Sequence, residues 1–118
     1  TLADIEKLCI KKALSLNVQV SFFQSNIEGE LVNKIQKSKN KQDGIILNAG
    51  AYTHTSIAIM DALIATQVPT IEVHISNIYH RESFRHISYI SKATIGQICG
   101  FGIYGYSMAL DAIIQNNL

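Results

Sequence analysis

The chain has 118 residues, enough for one domain with one modest hydrophobic core. Hydrophobic residues make up 47%, and 10 basic residues nearly balance 9 acidic ones, for a formal net charge of +1. This balance gives no support to a nucleic-acid or polybasic membrane surface, and no apolar run approaches the roughly 18 residues that span a bilayer.

The first part of the chain predicts a helix, a strand and a second helix. Apolar residues recur at three- and four-residue steps over residues 2–15, after a capping-box pattern. Residues 18–23 are rich in β-forming side chains and predict a strand. Ser25 and Glu28 could cap the second helix, which ends in a lysine-rich loop.

The apolar run at residues 44–47 predicts a buried strand that ends in a polar turn. An amphipathic helix over residues 56–66 follows the turn. In open α/β sheets ligands bind where strands end, and the N-terminus of a helix suits an anion. An ordinary loop with Thr55 or Ser56 as helix cap is an equally weighted interpretation. The polar side chains of the turn are Asn48, Tyr52, Thr53, His54, Thr55 and Ser56.

The second half predicts two more strands, at residues 70–75 and 93–99, with one short helix in the polar segment between them. A last helix begins at Tyr104 or Tyr106 and ends at Gln115. Strands that alternate with helices predict an α/β fold in one domain, with a parallel sheet covered on both faces. The pattern begins with a helix, whereas a doubly wound fold normally begins with its central strand.

Glu72 and His74 lie two residues apart on a predicted strand, so their side chains point to the same face. Burial there is costly unless the two side chains pair or reach a ligand. A carboxylate beside an imidazole favours the protonated ring and fixes its orientation. We favour His74 as a general acid supported by Glu72 over a purely structural buried pair.

Four further residues are candidates for binding a ligand or a partner. His54 stands at the end of the neighbouring strand. Arg81 and Arg85 are four residues apart, and either could reach back to a ligand, although a solvated face is at least as good an account of Arg81. Asp61 lies mid-helix among apolar neighbours and needs a partner, which a subunit contact could supply.

Other candidate sites are weaker. Cys9 and Cys99 lie far apart in apolar contexts, which favours two buried free thiols in a cytosolic protein over a disulfide. No His or Cys cluster has metal-ligand spacing, so we predict no metal. Gly100, Gly102 and Gly105 formally match a dinucleotide-binding pattern, but no acidic partner follows, and we discount it.

Five stretches together resemble type II 3-dehydroquinate dehydratases, which are lyases of the shikimate pathway. The stretches are long and in the family's order, and the resemblance covers the whole chain. It implies a flavodoxin-like three-layer sandwich, no cofactor, and a cytoplasmic dodecamer built from four trimers. The stretches are FQSNIEGE at residues 23–30, NAGAYTHTS at 48–56, IEVHISN at 71–77, RESFR at 81–85 and GFGIYGY at 100–106.

The resemblance implies that 3-dehydroquinate is dehydrated to 3-dehydroshikimate by anti elimination through an enolate. It places the general acid at His74, with Glu72 behind it. Asn48 would hold the substrate and the water that stabilises the enolate. The other implied roles are carboxylate binding by the backbone N–H groups of Ile75 and Ser76, hydroxyl binding by His54 and Arg85, and contact by Asp61 with a neighbour's site across the trimer.

One departure from the family concerns its opening segment. The family begins with a strand and a mobile lid that carries a catalytic tyrosine and an arginine, ahead of the position matching Thr1. None of the five tyrosines stands at the matching place, so the catalytic base is missing and we expect these 118 residues alone not to catalyse. Without the family's central strand, the flanking strands would keep unpaired N–H and C=O groups, so we also expect the residues not to fold alone. A catalytically silent binding or assembly subunit is the alternative. A flavin- or nucleotide-binding module ranks last, because no phosphate-loop signal is present.

Overall fold

The structure, a computed structural model, describes residues 1–117 apart from the side chain of Asn117. No helix in this range is long and apolar enough to cross a bilayer. The described helices are α1 (Leu2–Leu16), α2 (Glu28–Lys37), α3 (Ile57–Thr66) and α4 (Tyr104–Asn117), and the strands are β1 (Ile45–Leu47), β2 (Thr70–His74) and β3 (Gly96–Cys99).

The sheet has the strand order β1-β2-β3, and both pairs of strands are parallel. The register pairs Glu72 with Leu47 on one side and with Gln97 on the other. Directly paired residues point to the same face, so Gln97 and Glu72 are neighbours above one side of the sheet. Since parallel strands end at one edge, the polar residues that follow β1 and β2 lie close together.

Helices cover both faces of the sheet, as the alternating pattern predicts. Helices α1 and α4 contact each other on one side, and α2 and α3 on the other. Two apolar clusters fill the spaces between the layers, and burying one isoleucine such as Ile59 or Ile90 stabilises the fold by roughly 1.5–3 kcal/mol. The buried members are Ile35, Leu47, Ala49, Ile59, Ala62, Leu63 and Ile90 in one cluster and Ile71, Val73, Ala109 and Ile113 in the other.

The helix caps agree with the sequence at α3 and differ at α2. The Ser56 hydroxyl accepts a hydrogen bond of 3.0 Å from the N–H three residues on, as predicted. The predicted cap by Ser25 and Glu28 is wrong, because Ile27 precedes α2 without a side-chain cap. The Ser25 hydroxyl instead accepts from the Ile27 N–H and donates to Glu30.

Residues 18–23 do not form the predicted strand. No other strand lies beside them in the described part of the chain, and a strand exists only where a neighbour takes its N–H and C=O groups. Val18 and Val20 are half-buried and line a groove with Ile10 and Leu14 of α1. The alternation of apolar residues therefore sets which side chains face inward, although these residues form no strand-to-strand hydrogen bonds.

The connections around β3 also differ from the prediction. A short 3₁₀ helix, Ile90–Ala93, ends at the first residue of the predicted last strand, and β3 begins only at Gly96. The segment after β2 holds two 3₁₀ turns, Ile78–His80 and Ser83–His86, where the sequence predicted one short helix. Such turns close i→i+3 hydrogen bonds and need little periodic sequence, which is why the pattern did not reveal them.

Thr53 gives a first testable prediction, about stability. Its side chain is fully buried, and its hydroxyl has no hydrogen-bond partner among the residues that the structure describes. An unpaired buried hydroxyl costs free energy, whereas the valine isostere has none to bury. We expect Thr53→Val to raise the free energy of unfolding by about 1 kcal/mol. Denaturant unfolding should show no such gain for Thr55→Val, since Thr55 is exposed; a destabilised Thr53→Val variant would contradict the prediction.

Candidate active site

A polar cavity of about 180 Å³ lies at the edge of the sheet where β1 and β2 end. Six of the eight residues that the sequence predicted for the site line it. Of the other two, Glu72 lies fully buried behind His74, and Asp61 lies outside the cavity on α3. The six predicted residues that line it are Asn48, His54, His74, Ile75, Ser76 and Arg85.

Asn48 directly follows β1, and its carboxamide is held from two sides. The Gly50 N–H donates to Asn48 Oδ1 at 3.0 Å, and Asn48 Nδ2 donates to the Tyr106 hydroxyl at 3.0 Å. Gly50 has a φ of 57°, in the left-handed region that glycine adopts without strain. This tight turn fixes the amide at the cavity wall.

His74 and Glu72 form the hydrogen-bonded pair that the sequence predicted. His74 Nε2 donates to Glu72 Oε2, and the two side chains are only 6% and 0% exposed. Because a carboxylate can only accept, this contact fixes the hydrogen on Nε2. Nδ1 is therefore the ring nitrogen that is left to exchange a proton with a ligand.

Three further side chains, none of them predicted from the sequence, hold the Glu72 carboxylate. Ser91 donates to Oε1 at 2.7 Å, Ser88 donates to both oxygens at 3.1 Å, and Gln97 Nε2 donates to Oε2 at 3.0 Å. Gln97 could have been found from the sequence, because it is a polar residue within a predicted strand. The serines could not, because they lie beside and within a 3₁₀ turn.

Two opposing effects set the pKa of Glu72. Burial alone would raise it, but the hydrogen bonds from His74, Ser91 and Gln97 and the charge of the imidazole outweigh burial, so the pKa lies below its ordinary value of 4.5. Glu72 is therefore a carboxylate at neutral pH. This fixed carboxylate accepts from Nε2 and so holds the imidazole in one orientation.

His54 faces the same cavity from the 3₁₀ helix Gly50–His54. Its ring stacks on that of His74, with centroids 6.2 Å apart and planes at 19°. Nδ1 donates to the Ile87 carbonyl at 2.8 Å, because a carbonyl oxygen can only accept. In the neutral ring Nε2 is then an acceptor, which suits a ligand hydroxyl.

Two arginines line the cavity. Arg85 is the more buried, with 24% of its side chain exposed against 48% for Arg81. Arg85 Nε donates to Glu82 at 2.7 Å, a contact that holds the guanidinium in place. Both guanidinium groups can reach a ligand in the cavity, so the geometry is compatible with either arginine as the binding residue.

Asp61 points away from its own core. It is exposed on α3, next to exposed Ile57 and Ile64 on the same helix. Within the described residues its side chain makes no hydrogen bond or ion pair. The predicted need for a partner is thus not met among the residues that the structure describes.

The cavity gathers groups for hydrogen bonding and proton transfer. In the described part of the chain no three His, Cys, Asp or Glu residues come together as a metal site. Cys9 and Cys99 are free thiols, Cys9 buried and Cys99 partly exposed. The predicted thiol state is confirmed, and the predicted burial holds for Cys9 alone.

A family model described as dehydroquinase class II matches residues 1–114. This chain belongs to the class II dehydroquinase family. The 3-dehydroquinate dehydratase of Dinoroseobacter shibae is 55% identical over 113 residues, which cover 96% of this chain and 75% of the relative. That of Endomicrobium trichonymphae is 60% identical over 115 residues, which cover 98% and 80%.

A solved class II enzyme has the same fold. The crystal structure of the type II dehydroquinase from Butyrivibrio crossotus matches with a TM-score of 0.92 at 44% identity, covering 95% of this chain and 79% of that one. The likeness confirms the predicted flavodoxin-like fold and the resemblance to type II dehydroquinases.

Proposed function

We propose that this class II dehydroquinase dehydrates 3-dehydroquinate to 3-dehydroshikimate in the shikimate pathway, by anti elimination through an enolate. The buried Glu72–His74 pair in the wall of a polar cavity carries the proposal. The names of the relatives in the same family support the choice of substrate.

In this reaction His74 is the general acid that protonates the departing hydroxyl. Its Nε2–H is held by Glu72, so the transferred proton is the one on Nδ1 of the imidazolium. The ionised Glu72 stabilises this charged form before the reaction. We assign no residue of the described part of the chain to removal of the proton that forms the enolate.

The other cavity residues bind the substrate. Asn48 holds the substrate and the water that stabilises the enolate, and His54 and Arg85 hold ring hydroxyls. The backbone N–H groups of Ile75 and Ser76 bind the carboxylate. The position of all five at the cavity wall supports these roles, and the two nearby arginines favour an anionic substrate.

A direct assay tests the proposal. The full-length protein is incubated with 3-dehydroquinate, and the conjugated enone of the product is followed by ultraviolet absorbance. We expect enone formation at catalytic protein concentrations. Binding of 3-dehydroquinate without any enone would instead favour the catalytically silent subunit, and neither binding nor turnover would refute the proposed substrate.

The assembly is proposed to be a dodecamer of four trimers in the cytoplasm, in which Asp61 reaches a neighbour's site. The exposed α3 face around Asp61 supports a subunit contact there, and the free thiols support a reducing compartment.

Asp61→Ala is accordingly expected to weaken substrate binding in the preformed oligomer by about tenfold, because a charged hydrogen-bond partner is lost. Calorimetric titration of the oligomer measures the dissociation constant. Glu6→Ala, which removes a carboxylate from α1, is the matched control and should bind normally. A structure of the oligomer in which Asp61 lies far from every subunit contact would contradict this proposal.

A further inference from the structure

Tyr106, in the first turn of α4, contacts the site through Asn48. Its hydroxyl accepts the Nδ2–H hydrogen bond of Asn48, although the two residues are 58 positions apart in the chain. Since the primary amide has two N–H groups, the bond to Tyr106 leaves one for a ligand in the cavity.

The contact depends on a close approach between α4 and the sheet. Gly105 is buried, and a Cβ at this position would lie 3.3 Å from Val73 Cγ1 and 3.4 Å from Ile98 Cγ2. The absence of a side chain lets the first turn of α4 rest on β2 and β3. The next residue, Tyr106, is thereby placed beside Asn48.

The two hydrogen bonds of the Asn48 amide have complementary directions. Gly50 N–H can only donate, so it requires the oxygen on its side, and the nitrogen then faces Tyr106. Burial raises the pKa of Tyr106, more than the Asn48 contact lowers it, so the phenol stays neutral. A neutral hydroxyl accepts from Nδ2 and keeps its own hydrogen for a second partner.

We infer that Tyr106 is a positioning residue that holds the Asn48 carboxamide in the orientation needed for the substrate and its water. This inference rests on the proposed role of Asn48. Tyr106 acts through Asn48. Its removal should therefore impair the reaction only while the Asn48 amide is present.

A double-mutant cycle on the full-length enzyme tests the inference. We expect Tyr106→Phe to lower kcat/KM roughly 5- to 10-fold, the effect of losing one hydrogen bond at the site. In the Asn48→Ala background the same change should have no further effect. Tyr104→Phe is the matched control, because Tyr104 lies in the same turn of α4 but is 59% exposed.

The outcomes distinguish failure of the positioning role from failure of the proposed function. An equal loss from Tyr106→Phe in both backgrounds would show a general structural role and overturn the inference, as would Asn48→Ala with parental activity. If the parent protein had no dehydratase activity, the proposed function would fail, and a crystal structure of Tyr106→Phe would decide the inference. A turned or disordered Asn48 amide would support the positioning role, and an unchanged, ordered one would refute it.

Discussion

His74→Ala should lower turnover of 3-dehydroquinate by roughly 10²–10⁴-fold, the usual range for the loss of one general acid. The structure gives the reason, since Nε2 is committed to Glu72 and Nδ1 is the remaining proton donor. Steady-state kinetics on the full-length enzyme measures the effect. The fall should lie mainly in kcat, because the proton is transferred in the transition state.

His80→Ala is the matched control for this experiment. His74 is the last residue of β2, and His80 lies a few residues further along the chain. Unlike His74, His80 is exposed and does not line the cavity. Its replacement should leave kcat at the parental value. Turnover of His74→Ala within about twofold of the parent would exclude His74 from acid catalysis.

Glu72→Gln is expected to lower turnover by about 10²-fold, because the neutral amide no longer stabilises the charged imidazole. The glutamine also brings an NH₂ group towards Gln97, Ser88 and Ser91, which now donate to the carboxylate. Glu6→Gln makes the same carboxylate-to-amide change on α1 and should leave turnover at the parental value. Parental turnover of Glu72→Gln would show that the charge is dispensable.

The same variant tests the pH dependence of stability. A carboxyl whose pKa is lowered on folding stabilises the native state above its unfolded pKa, and this contribution is lost as pH falls towards the folded pKa. The free-energy difference between the parent and Glu72→Gln should therefore be largest above about pH 5 and should shrink below the ordinary value of 4.5. Urea titrations at several pH values measure it; a difference that is constant with pH would contradict the lowered pKa.

The sequence predicted the parts of the site that depend on strand periodicity. Glu72 and His74 were paired because side chains two apart on a strand share a face, and the cavity edge followed from the ends of β1 and β2. These rules are local, so a single sequence suffices for them.

Contacts between distant segments could not be predicted in the same way. Ser88 and Ser91 reach Glu72 from an irregular segment whose path no periodicity encodes. Tyr106 reaches Asn48 because Gly105 permits a close helix–sheet contact, and such fits depend on tertiary packing. At residues 18–23 the opposite happened: the local preference for a strand was overridden, because no strand pairs with them in the described part of the chain.

The most direct test of acid catalysis by His74 separates enolate formation from loss of the hydroxyl. His74→Ala is incubated with 3-dehydroquinate in deuterated water, and two rates are compared: exchange of the acidic proton beside the ketone, by NMR, and formation of the enone. We predict that exchange continues while enone formation falls by roughly 10²–10⁴-fold, because His74 acts only on the departing hydroxyl. Equal losses in both rates would contradict this account and place His74 in proton removal or in substrate binding.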